Sequence, residues 1–121
     1  MPVFDQAEYK QRVQKTKEAM QAKGIDLLVV SQPANMNYLT GYDGWSFYVH
    51  QCVLVSLNQE EPMWLGRGMD ANGASMTTFL SEGNILRYAD HYVHSTVCHP
   101  MNFVADVIKE KGWDKGSIGV E

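Results

Sequence analysis

The chain has 121 residues, the size of one domain, and its length leaves no room for a second hydrophobic core. It is 45% hydrophobic and 20% charged, ordinary globular usage that excludes a disordered, collagen-like or low-complexity chain. Ten Lys plus Arg against fourteen Asp plus Glu give a net charge of −4, with no basic cluster, so nucleic acid and anionic membrane are not expected partners.

No apolar run approaches the ~18 residues that span a bilayer; the nearest, Ile25 to Val30, is interrupted by Asp26. Met1 to Lys10 has no apolar core of a secretory signal, and the expected location is the cytoplasm. Cys52 and Cys98 form no C-x-x-C and read as free thiols of a reducing compartment.

Asp5 followed by Glu8 is a variant of the capping box, and Tyr9, Val13 and Met20 recur at helical spacing up to the stop at Gly24. A first helix over about residues 5–23 follows, with Lys10, Arg12, Lys15 and Lys17 on its wet side. Ile25 to Ser31 is short, apolar and β-branched, as a strand covered on both faces must be.

A second strand is expected from Trp45 to Ser56, with Trp45, Phe47, Val49, Val53 and Val55 on one face and Ser46, Tyr48 and His50 beginning the other. The turn residues Asn58 and Gln59 lead into Met63 to Gly66 and predict an antiparallel hairpin. Asp70 or Asn72 caps a weaker expected helix through Leu80, ended by Gly83, and Asn84 to Tyr88 reads as a further strand. Pro100 opens a helix whose apolar stripe is Phe103, Val104, Val107 and Ile108, closed by Lys109, Lys111 and Gly112. Ser117 to Glu121 begins another strand at the end of the sequence, which leads us to expect one piece of a longer protein. Helices alternating with buried strands define an α/β domain.

Between Gly24 and Gly66 there is no Lys or Arg, while Tyr38, Tyr42, Trp45, Phe47 and Tyr48 crowd together. One reading is an aromatic, polar-tipped recognition wall of Tyr38, Tyr42, Trp45, Phe47, Tyr48 and His50, with Asn35 and Asn37 adding amide hydrogen bonds. The other is that the aromatics fill the core beside the second strand. Strand alternation would put Tyr48 and His50 on the substrate side and Phe47 with Trp45 and Val49 on the other.

Asp90, His91, His94, Cys98 and His99 have metal-ligand chemistry, but Val93, Thr96, Val97 and Pro100 disfavour a helix that would converge them, and no metal site is expected. Asp43, Ser46 and His50 fail as a triad, because Ser46 and His50 on one strand stand about 13 Å apart. Gly66, Gly68 and Gly73 do not match the dinucleotide fingerprint. The residues contain no complete active site, so no catalytic residue is assigned.

The stretch Pro33-Ala34-Asn35-Met36-Asn37-Tyr38-Leu39-Thr40-Gly41-Tyr42, after a helix, Gly-Ile-Asp and an apolar strand, resembles the N-terminal domain of the creatinase, prolidase and aminopeptidase P family. The run from Gly41 to Gln51, together with Gly66-Arg67-Gly68, Asp70 to Ala74, Asp90 to Val93 and Ile118 to Glu121, is most similar to the ectoine-hydrolase branch. The resemblance covers essentially the whole chain.

It implies a ribonuclease-H-like mixed sheet flanked by helices over residues 1–121, followed in the family by a "pita-bread" catalytic domain that this chain lacks. That further domain would carry the catalytic His residues and a divalent metal pair, leaving this domain non-catalytic and without a cofactor. The implied partners are the protein's own catalytic domain, the second subunit of a homodimer and a small-molecule substrate. In such dimers this domain reaches toward the neighbouring subunit's pocket with an aromatic and a basic side chain; Phe47 falls near the aromatic, and with no Arg nearby the basic contact is either absent or replaced by His50. An Xaa-Pro dipeptidase is the alternative parent, and a free-standing binding or dimerisation module the alternative of another class.

Overall fold

The computed structural model describes residues 4–44, 50–89 and 99–121. Helix α1, Gln6–Lys23, begins as its sequence predicts: the Asp5 carboxylate accepts from the Glu8 amide at 3.1 Å. It ends at Gly24, whose φ of 71° is left-handed and lets its N–H reach back to the Met20 and Gln21 carbonyls. Tyr9, Val13 and Met20 are its buried face.

The strands are β1 (Leu27–Val30), β2 (Cys52–Ser56), β3 (Met63–Arg67), β4 (Ile85–Tyr88) and β5 (Ile118–Val120). They form one sheet in the order β4-β3-β2-β1-β5. The hairpin β2–β3 is antiparallel as expected, β1 pairs antiparallel with β2, and β3–β4 and β1–β5 are parallel. Because side chains alternate across a strand, the sheet sorts its apolar residues onto two covered faces. Val30, Val53, Val55, Trp64 and Ile85 lie beneath α1, α2 (Pro33–Thr40) and α3 (Gly68–Thr77). Leu27, Val29, Cys52, Leu54, Met63 and Leu65 lie beneath α4 (Pro100–Glu110) and Trp113. Full burial of Leu27 or Leu65, both 0% exposed, stabilises by about 1.5–3 kcal/mol each. This is the expected α/β architecture, a mixed sheet flanked by helices.

Three details depart from the sequence reading. Residues Pro33–Thr40 form a helix that the reading did not assign; Pro33 stands at its start, and Met36, Leu39 and Thr40 are its buried stripe. Of the expected second strand, Cys52–Ser56 is strand and His50 and Gln51 are not, while residues 45–49 lie outside the described residues. The third helix starts at Gly68 and stops at Thr77, not at Leu80 or Gly83. Its end has a local cause, since the hydroxyls of Thr77 and Thr78 donate to the Gly73 and Ala74 carbonyls, each at 2.7 Å, and compete with continued helix. Glu82–Asn84 is a separate 3-10 turn.

Among the described residues, no helix is long and apolar enough to cross a membrane.

Candidate functional site

The parallel pairings bring the carboxyl ends of β1, β3, β4 and β5 to one end of the sheet, where the antiparallel β2 begins. That end is where open α/β sheets bind ligands. The side chains delivered there are polar and aromatic, and they come from both faces of the sheet.

On the face beneath α1 to α3, α2 ends at Gly41, whose φ is 89°. A Cβ there would stand 2.9 Å from both the Thr77 carbonyl oxygen and the Tyr9 hydroxyl, so space and backbone both require glycine. The next residue, Tyr42, is buried; its amide donates to Thr40 Oγ1 at 3.1 Å, and its ring lies 5.2 Å from that of Trp64. The Tyr42 phenol donates to Gln51 Oε1 at 2.9 Å. Burial, reinforced by the Asp70 carboxylate and opposed by the Gln51 hydrogen bond, pushes that phenol up to about 12, so it is a hydrogen-bond donor at neutral pH. Tyr42, Asp43, Gly44, Met69, Asp70, Gly73 and Thr77 line a cavity of about 420 Å³.

On the α4 face, His50 is exposed, and its backbone carbonyl accepts a 2.5 Å hydrogen bond from the Tyr88 phenol. Its ring lies 4.7 Å from that of His99. Partial burial, and then the neighbouring His99, hold the His50 imidazole below its ordinary value and favour the neutral ring. His99 caps α4: its Nδ1 accepts from the Met101 amide at 3.0 Å. The Tyr88 phenol is pushed up to about 12, by burial first and then by Asp70. Gly68, Met69, Arg87, Tyr88 and Ala89 line a second cavity of about 450 Å³, and Met69 lines both.

Of the residues picked out in the sequence, Tyr42 and His50 therefore stand at the same end of the sheet, reaching it on opposite faces. Asn37 sits half-buried within α2, and its carbonyl accepts from Gly41 at 2.8 Å. Trp45, Phe47 and Tyr48, and with them the question of which face Phe47 takes, lie outside the described residues. So do Asp90, His91, His94 and Cys98 of the cluster with metal-ligand chemistry, whose remaining member, His99, is the helix cap. Gln51, Met69, Asp70 and Tyr88 were not singled out as site residues. Tyr88 and Gln51 carried one usable signal, a polar residue at the end or the beginning of an apolar strand.

The chain is thus an α/β domain, a mixed sheet with helices on both faces and polar and aromatic side chains at its carboxyl end. Residues 12–121 match the Creatinase/Prolidase N-terminal domain, and the chain belongs to that family. It is 50% identical over 119 residues to the ectoine hydrolase of Halomonas elongata, a match that takes in 98% of this chain and 30% of that protein. It is also 46% identical over 118 residues to y4tM of Sinorhizobium fredii, named an uncharacterized hydrolase/peptidase, again over 98% of this chain and 30% of the relative.

The chain thus spans 30% of the length of these relatives. Among solved structures, a dipeptidase of Pyrococcus horikoshii matches with a TM-score of 0.69 at 20% identity, covering 91% of this chain and 28% of that one. A Creatine_N superfamily domain of a dipeptidase from Streptococcus thermophilus matches with a TM-score of 0.65 at 18% identity, covering 91% of this chain and 90% of that one. At these identities the likeness shows the fold.

Proposed function

We propose that this chain is the non-catalytic N-terminal domain of an ectoine hydrolase-like C–N hydrolase of the cytoplasm, and that it closes the substrate pocket and contributes to the contact of a homodimer. The observation that carries the reading is the placement of an exposed His50 and of the Tyr42-lined cavity at the same end of the sheet, on its two faces. The half-identity to ectoine hydrolase along 98% of the chain supports the substrate class.

Ectoine bears a carboxylate and an amidine ring. The imidazole N–H of His50 suits the carboxylate as a donor, while Asp43, Asp70 and the aromatic rings suit the cationic ring. Phe47, Tyr48 and Trp45 complete the wall in this reading. Water activation, with a divalent metal pair, belongs to a further domain. Among the described residues no three His, Cys, Asp or Glu side chains converge as a metal site, and no metal-dependent step is assigned to this domain.

The test uses the full-length protein, assayed with ectoine and with Xaa-Pro dipeptides, beside the 121-residue chain alone with added Mn²⁺, Co²⁺ or Zn²⁺. The expected result is ectoine ring opening by the full-length protein, lowered about tenfold or more in kcat/KM by His50→Ala with little change in melting temperature. Cleavage of dipeptides in place of ectoine would assign the domain to an Xaa-Pro dipeptidase. Metal-dependent turnover by the isolated chain, or a silent His50→Ala, would overturn the reading.

A further inference from the structure

Helix α2 is 8 residues long, too short to be stable on its own hydrogen bonds, yet it delivers Gly41 and Tyr42 to the site. Each of its ends is met by a charged side chain from a distant part of the chain. At the N-terminal end, Glu121, directly after β5, accepts with Oε1 from the amides of Ser31 at 3.0 Å and Gln32 at 2.6 Å, and with Oε2 from the Asn35 side-chain amide. At the other end Arg12 of α1 donates through Nη1 to the Tyr38 carbonyl in the last turn, at 3.0 Å.

The guanidinium is itself held in place. Its Nε donates to Glu8 Oε2 at 2.9 Å, and its Cζ lies 4.6 Å from the ring centroid of Phe4, 4.7 Å from that of Tyr38 and 5.4 Å from that of Tyr9. An anion at the N-terminus and a cation at the C-terminus are the arrangement that a helix dipole favours. A planar guanidinium can stack on rings and donate in its own plane at once, which an ammonium cannot do. Beyond this clamp the chain has one course, because Gly41 is wedged between Tyr9 and Thr77 and passes directly into Tyr42.

We propose that Arg12 and Glu121 are positioning residues that clamp α2 from its two ends and thereby set where Tyr42 and its partner Gln51 stand. The functional half of this inference rests on Tyr42 belonging to the substrate wall. Neither charged residue needs to touch substrate. Each acts through the helix.

The clamp is tested by NMR on the 121-residue chain, reading the Gln51 side-chain amide and the Tyr42 ring, with the Trp113 indole on the opposite face of the sheet as control. Arg12→Ala and Glu121→Gln should each move the Tyr42 and Gln51 signals and leave Trp113 in place. Arg12→Lys should fail to restore them, whereas millimolar ethylguanidinium added to Arg12→Ala should return them toward their original positions. Unmoved Tyr42 and Gln51 signals, or a Trp113 shift of equal size from general loosening, would overturn the clamp.

In the full-length protein the same variants should raise KM about threefold or more at nearly constant kcat. Shifted NMR signals with an unchanged KM would uphold the clamp and remove Tyr42 from the substrate wall.

Discussion

The Tyr88 phenol, at the end of β4, donates a hydrogen bond to the backbone carbonyl of His50, just before β2. In the sheet β3 lies between those two strands, so the tyrosine reaches across a neighbour to fix the entry of the next strand but one. Its ring also packs 5.9 Å from that of Phe103 on α4. One side chain thereby ties the position of His50 to both β4 and α4.

Tyr88→Phe keeps the ring and removes the donor. The expected loss is about 1 kcal/mol, the usual net value of one hydrogen bond, seen as a lower urea midpoint with an unchanged slope. An unchanged midpoint would show that water satisfies the His50 carbonyl equally well.

His50 gives the protein an acid-side dependence. Its folded value lies below that of an unfolded histidine, so its contribution to stability is fully present above the ordinary histidine range and is lost as pH falls through the folded value. Denaturation at pH 7.5 and at pH 5 should show a smaller loss of stability in His50→Gln than in the parent chain. An equal loss in both would place the acid sensitivity in other groups.

Tyr42 and Tyr88 act at the alkaline end. Both phenols are pushed up to about 12 from the ordinary tyrosine value of 10.0, so the protonated form is favoured in the folded state. Their stabilisation is complete below the unfolded value and is lost as pH rises from 10.0 to about 12. Phenolate absorbance should therefore show tyrosines that ionise late and together with unfolding. Full ionisation of every tyrosine near its ordinary value in a still-folded chain would contradict their burial.

Gly41→Ala should destabilise by more than about 1 kcal/mol, because a left-handed φ of 89° and two contacts of 2.9 Å to Thr77 and Tyr9 oppose any Cβ. Gly24→Ala is the comparison: its φ is also positive, at 71°, but nothing lies within 4 Å, so it carries only the backbone penalty. Equal losses at the two positions would remove the steric part of the argument.

Cys52 is buried, and desolvation raises its thiol to about 12. In a Cys98→Ser variant the remaining thiol should react with a disulfide reagent at pH 8 only as fast as the protein unfolds. Rapid labelling of the native chain would show that the start of β2 opens readily.

Where local chemistry suffices, the sequence was legible. Asp5 and Gly24 bracket α1, the turn at Asn58 and Gln59 joins two apolar runs, and Pro100 opens α4, because capping, turn geometry and apolar periodicity all act within a few residues. Tyr42 and His50 were also visible as polar-tipped residues in an aromatic stretch free of basic side chains.

Helix α2 was not legible, although Pro33 and Gly41 frame it. Its ends are satisfied by Glu121 and Arg12, and its apolar stripe is meaningful only against Val30 and Val53 of the sheet. The partners of the site residues were hidden for the same reason: Tyr42 with Gln51, His50 with Tyr88 and His99. Sequence alone determined which segments could be helix or strand and which residues had the chemistry for recognition. The tertiary structure decided the strand order and the hydrogen-bond partners, because contacts between distant residues depend on how the chain crosses the sheet, and no short window of sequence contains that geometry.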